Sequence, residues 1–218
     1  SIAQANPKKQ VVFIGIGFET TVPALAATII RARKERCNNF FILPFGKSIF
    51  PALSALCDSG KIVIDGFICP GHVSVITGTP PYKAFLRKNK VPCVITGFEY
   101  ADIIEGITRL LRLISDGTIS VDVQYKRAVT KKGNPEARRI IDKVFKRDTA
   151  EWRGLGRIPK SGFFLRKEFL SFDACTRWAI REKKTVTIPK CRCGEVLQGL
   201  LRPKQCSLFG TRCTPEDP

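Results

Sequence analysis

The chain has 218 residues, enough for one large domain or two small ones with a proper hydrophobic core, so folding does not require disulfide staples. No apolar run approaches the ~20 residues that span a bilayer, and the opening SIAQANPKKQ has no signal-peptide core, which points to a cytoplasmic protein. A net charge of +18 raises nucleic acid as a partner. The lysines and arginines are spread over helix faces and loops with little aromatic interleaving, however, and without a motif nucleic-acid binding is not expected. The absence of methionine and a cysteine-rich end without a closing element suggest a fragment of a longer chain.

Taken in order, residues 11–17 (VVFIGIG) form an apolar run ending in glycines, the pattern of a central parallel strand. Phe18, Glu19, Thr20 and Thr21 turn the chain; a threonine there can cap a helix, Pro23 suits its first turn, and Leu25, Ala26, Ile29 and Ile30 form its apolar stripe. Gly15 and Gly17 lack the third glycine of a dinucleotide fingerprint, and no GK[ST] follows, so phosphate binding at this turn is weakly supported. Further strands are predicted at 40–45, 62–69 and 91–96, with helices at 50–56, 82–88 and 101–115. This alternation predicts an α/β fold with a doubly wound, Rossmann-like parallel sheet over residues 1–118. Beyond Gly117 the periodicity weakens: a strand is expected at 121–129, a helix from Asn134 to about Val144, and a glycine-rich loop with an aromatic at 151–156. Residues 119–175 read as a further α/β segment packing on a second, partly missing domain. Residues 176–190 read as a linker or irregular segment within a cysteine-rich tail, 176–218.

Two features of the predicted sheet carry chemistry. The sole histidine, His72, lies in Pro70-Gly71-His72-Val73-Ser74, a turn just past a strand end, where open α/β sheets bind ligands; a hydrogen-bonded structural histidine is the simpler alternative. The tripeptide Gly17-Phe18-Glu19 recurs as Gly97-Phe98-Glu99 at another strand end, so both carboxylates are expected beside His72 at one sheet edge. Alternatively, each glutamate merely complements a helix dipole, worth about 0.3–1 kcal/mol.

Of nine cysteines, Cys191, Cys193, Cys206 and Cys213 fall close together near the end of the chain. Four soft thiolates in a loop-rich stretch suit zinc or an iron–sulfur cluster. Their spacing fits no common zinc-finger pattern, which favours a cluster, and free thiols are the remaining alternative.

Together these motifs resemble the HypD family of hydrogenase maturation factors. The resemblance is carried by Gly17-Phe18-Glu19-Thr20-Thr21 with Pro23, Pro70-Gly71-His72-Val73-Ser74, Gly97-Phe98-Glu99 with Asp102, and Glu151-Trp152-Arg153-Gly154-Leu155-Gly156. It continues through Cys193-Gly194-Glu195-Val196-Leu197, Cys206, Leu208-Phe209-Gly210 and Cys213-Thr214-Pro215. The resemblance implies a scaffold on which the Fe(CN)2CO moiety of nickel–iron hydrogenases is assembled, together with a HypC-type chaperone and a HypE-type cyanide donor. It also implies a [4Fe–4S] cluster held by Cys193, Cys206 and Cys213 with a fourth ligand beyond Pro218, and Cys191 as a bystander. The family's iron-holding and redox-active cysteines belong to an amino-terminal third not present here, so independent turnover is not expected. Gly46 replaces the histidine usual before Lys47, and Val123 stands where asparagine commonly precedes Gln124-Tyr125. In this reading His72, Glu19 and Glu99 face the iron and its diatomic ligands, in a pocket shaped by Gly17, Phe18, Thr20, Thr21, Pro70, Gly71, Ser74, Gly97 and Phe98. The rival readings are a nucleotide- or substrate-binding α/β enzyme and a basic RNA-binding module.

Overall fold

The computed structural model describes residues 1–58, 64–180 and 188–216. After a short helix α1 (Ile2–Ala5), the elements run β1 (Val11–Gly17), α2 (Val22–Lys34), β2 (Phe40–Gly46), α3 (Ile49–Asp58), β3 (Phe67–Pro70) and α4 (Gly71–Thr77). They continue as α5 (Pro80–Asn89), β4 (Cys93–Thr96), α6 (Tyr100–Ser115), β5 (Val121–Val123), α7 (Pro135–Val144), β6 (Phe145–Trp152) and β7 (Gly156–Leu165). A 3-10 turn at Lys167–Phe172, α8 (Ala174–Arg177), α9 (Cys193–Leu197) and a 3-10 turn at Pro203–Gln205 complete the described chain. Residues 62–63 of the expected third strand and 181–187 of the expected linker lie outside the described residues.

The α/β character and the parallel strands are as the sequence predicts, but the strands do not form one doubly wound sheet. Among the described residues β1 and β2 make a parallel pair, β3, β4 and β5 make a separate parallel sheet in the order β3-β4-β5, and β6 and β7 form an antiparallel hairpin. The split has a visible cause. Beyond β2 the chain bridges to the hairpin instead of to β3, through Lys47 opposite Gly162 and a Ser48 N–H to Ser161 carbonyl bond of 2.8 Å. The expected glycine-rich loop at 151–156 is the turn of this hairpin: Trp152 and Gly156 pair across it, and Gly154 has φ 78° and Gly156 φ 72°, conformations that favour glycine. The strand expected at 121–129 ends at Val123, because the Gln124 and Tyr125 N–H groups both turn onto the Ile95 carbonyl.

Two hydrophobic cores follow, interleaved along the chain. In the first, Val22, Leu25, Ala26 and Ile29 of α2 pack with Ile42 of β2 and with Ile141, Val144, Phe163 and Phe169. Proline in its first turn, a buried i, i+3, i+4 stripe and Arg31, Arg33 and Lys34 at its carboxyl end explain why this segment of the chain is helical. A fully buried side chain such as Ile29 contributes roughly 1.5–3 kcal/mol. α7 joins this core because Asn134 Oδ1 accepts the Ala137 N–H at 2.9 Å and Pro135 sets the first turn. The second core gathers Leu53, Cys69, Tyr82, Phe85, Cys93, Ile95 and Val129. Among the described residues no helix is long and apolar enough to cross a membrane.

Candidate functional site

At the carboxyl end of β3, Pro70 pairs with Thr96 of β4, so the two turns that follow lie side by side. This register requires glycine: a Cβ on Gly71 would collide with the Thr96 carbonyl and Tyr125, and one on Gly97 with the Asp102 carboxylate. His72 therefore meets Phe98, their rings 4.9 Å apart and tilted by 46°. Although His72 is exposed, partial desolvation of its ring pulls the pKa below its ordinary value, which favours a neutral imidazole at pH 7. Below it, Ser74 is buried, its Oγ 3.0 Å from the Pro70 carbonyl and 2.9 Å from the Tyr82 hydroxyl.

Arg127 anchors the second turn. Its guanidinium binds Asp102 through two hydrogen bonds of 2.7 and 2.5 Å, reaches Glu99 at 3.3 Å, and lies 4.4 Å from the Tyr125 ring centre. Gln124 donates a third bond to Asp102 at 2.9 Å. The Arg127 hydrogen bonds hold the Asp102 pKa at about 2, so this carboxylate stays charged in its nearly buried position. Glu99 is different: its side chain is 79% exposed, so apart from its contact with Arg127 its carboxylate is open to solvent.

The first Gly-Phe-Glu turn lies elsewhere. Glu19 follows β1, in the other parallel pair, so the expectation that both glutamates share one sheet edge with His72 is not met. The physical reason is the split sheet. Glu19 is only 1% exposed and accepts hydrogen bonds from Ser48 Oγ at 2.6 Å and from the Ile49 N–H at 3.2 Å. It thus complements the amino terminus of α3, not that of the helix it precedes. Gly17 has φ 142°, and an added Cβ there would collide with the Thr21 side chain. Thr21 precedes α2 without a side-chain cap; its hydroxyl donates to the Phe18 carbonyl at 3.1 Å. Thr20 is half-buried beside it. Phe18 faces Trp152, ring centres 6.2 Å apart, and the Lys47 ammonium sits 5.3 Å from the Trp152 ring and contacts the Glu151 carbonyl. Trp152 is fixed by an Nε1 bond of 2.7 Å to Ser161 Oγ.

The cysteine tail meets the hairpin turn. Gly154 and Gly194 are in backbone contact, and a Cβ on Gly154 would lie 2.9 Å from Cys193 Sγ. Backbone N–H groups lower the pKa of two thiols, Cys191 through Cys193 and Cys206 through Leu208 and Arg192, while burial pushes Cys193 up. Cys213 pairs in a bridge with Phe209. As placed, these thiols do not make a ligand set: among the described residues, no three histidine, cysteine, aspartate or glutamate side chains converge where a metal ion would sit.

Sequence reading did not single out Arg127, Ser48 or Ser161 as site residues. Each acts through a partner distant in the chain, and no local pattern marks it.

The HypD family model, described as hydrogenase formation hypA family, matches residues 1–218. The chain is 41% identical over 224 residues to hydrogenase maturation factor HypD2 of Bradyrhizobium diazoefficiens, and 40% over 224 residues to hydrogenase maturation factor HypD of Cupriavidus necator. Each alignment covers 100% of this chain and 59% of the relative. It is 38% identical over 216 residues to hydrogenase maturation factor HypD of Escherichia coli, covering 99% of this chain and 58% of that protein. The chain thus spans under two thirds of the length of these relatives, and by the family match over its whole length it belongs to the HypD family of hydrogenase formation proteins.

Proposed function

We propose that this chain contributes a polar wall to the assembly of the Fe(CN)2CO moiety of nickel–iron hydrogenases, the iron and its diatomic ligands being the cargo. One observation supports this above the rest: the Pro70–Thr96 register sets His72 against Phe98, the residue before Glu99, past the ends of two parallel strands. A neutral imidazole there has one N–H to donate and one nitrogen to accept. His72 donates to a cyanide nitrogen, and Arg127, already holding Asp102 and Glu99, keeps the wall in place. Glu99 offers its exposed carboxylate as a hydrogen-bond acceptor at the same wall. Glu19 acts as a positioning residue, holding the end of β2 and the start of α3 against the Phe18 turn.

The other assignments follow the family. Cys193, Cys206 and Cys213, which do not converge among the described residues, would have to be drawn together to contribute to a [4Fe–4S] cluster; HypC-type and HypE-type proteins are the partners, in the cytoplasm, and no step above runs through the cluster. The test is His72→Ala in the full-length protein. It is expected to cut the yield of active hydrogenase at least tenfold while the circular dichroism spectrum and melting temperature stay at wild-type values. Unchanged hydrogenase maturation would remove His72 from the mechanism.

A further inference from the structure

We infer that a cavity between the two cores is a binding site for a small oxyanion, a carboxylate or phosphate group, held by Arg138, Arg147 and Lys160. The cavity has a volume of about 360 Å³, and its walls come from both cores, with Ile141 and Ile76 on the side of the first and Phe50 on the side of the second. Three cationic side chains line it. Arg138 is tethered at one end, Nη2 donating to the Lys132 carbonyl at 2.9 Å, while its Nε is buried with no hydrogen-bond partner. A buried guanidinium donor without an acceptor is costly, and it is rare unless a ligand or water completes it. Arg147 is held with its guanidinium carbon 4.5 Å from the Phe163 ring centre, which fixes the plane of its donors.

Lys160 enters from β7 at the irregularity where the pairing with β6 shifts, its backbone at φ 57°, in the left-handed region that side chains with a Cβ rarely occupy. None of the three cations makes an ion pair with a carboxylate among the described residues. Two acids, Glu19 and Asp142, also line the cavity. Glu19 is turned to Ser48 and the Ile49 N–H, and three cations against two carboxylates leave the lining with a positive excess. An oxyanion would supply the acceptor that Arg138 Nε lacks, and the apolar walls leave room for a small body attached to it. This site is independent of the iron chemistry proposed for His72 and can be tested without it.

The experiment is a thermal-melt and calorimetric titration of the full chain with inorganic phosphate and, separately, with acetate, at constant ionic strength set by sodium chloride. A saturable rise in melting temperature with millimolar affinity is expected from at least one of the two, because a ligand that binds only the folded state stabilises it. Arg138→Gln and Arg147→Gln should each weaken that affinity at least tenfold, and Arg139→Gln, an exposed neighbour paired with Glu136, should leave it unchanged. If Arg138→Gln fails to fold, the Arg147→Gln and Lys160→Gln variants carry the test. Saturation by phosphate alone assigns a phosphate ligand, and saturation by acetate alone a carboxylate. A response to neither, or one that is the same in wild type and all variants, overturns the site.

Discussion

The two Gly-Phe-Glu turns are the same tripeptide at the same kind of place, the carboxyl end of a parallel strand, yet they do opposite things. Glu19 is sealed under Ser48 and the start of α3, with donors aimed at it from two directions. Glu99 projects outward, and among the described residues its ion pair is an exposed contact with Arg127. The difference lies in what stands opposite each turn. β2 delivers Ser48 onto the first glutamate, whereas the second meets Arg127, which a closer carboxylate, Asp102, already engages. A motif fixes the backbone of a turn, and its neighbours decide whether the side chain is structural or available.

The largest expected effect tests this contrast directly. Glu19→Ala leaves a buried hydroxyl and a helix N–H without an acceptor and should cost roughly 1–3 kcal/mol of stability, whereas Glu99→Ala should lie within about 0.5 kcal/mol of wild type. Urea denaturation of both variants measures the gap, and equal losses would erase the distinction drawn between the turns. Next is the support beneath the second turn. Asp102 has a folded-state pKa of about 2, below its ordinary 3.8, so its pairing with Arg127 stabilises the fold above pH 4 and that contribution disappears as pH falls toward 2. Asp102→Asn should therefore melt below wild type at pH 7, with the difference closing between about pH 4 and pH 2. A difference that stayed constant across that range would assign the loss to something other than the charge. The smallest effect concerns the His72 ring: Phe98→Ala removes its neighbour and should return the His72 pKa upward toward its ordinary value, read by proton NMR titration of the sole imidazole.

Much of the local structure was legible because local physics sets it. The glycine-ended run 11–17, the Pro23 helix start, the Asn134-Pro135 cap and the helix that fills 100–115 all appear close to where the sequence places them. Residues 151–156 read as a glycine-rich loop, which is the turn of the β6–β7 hairpin; the strands on either side are not legible, since 145–152 carries three charged residues in a row and shows its pairing only once a partner strand lies beside it. For the candidate site, Pro70 through Ser74 and Gly97 through Glu99 were legible as turns past strand ends. That His72 meets Phe98 depends on the β3–β4 register, and Arg127 enters only because β5 ends early and turns the chain back over Asp102.

The sequence by itself determined the α/β character, the strand-end turns, the glycines that let them form, and the family, because each depends on residue types within a few positions of one another. Tertiary structure alone decided that the parallel strands divide into two sheets, that residues 141–172 return to share a core with 22–42, and that Arg138, Arg147 and Lys160 line one cavity. Those outcomes depend on which distant surfaces bury each other best, a choice made by the free energy of the whole packed chain and not by any one segment of it.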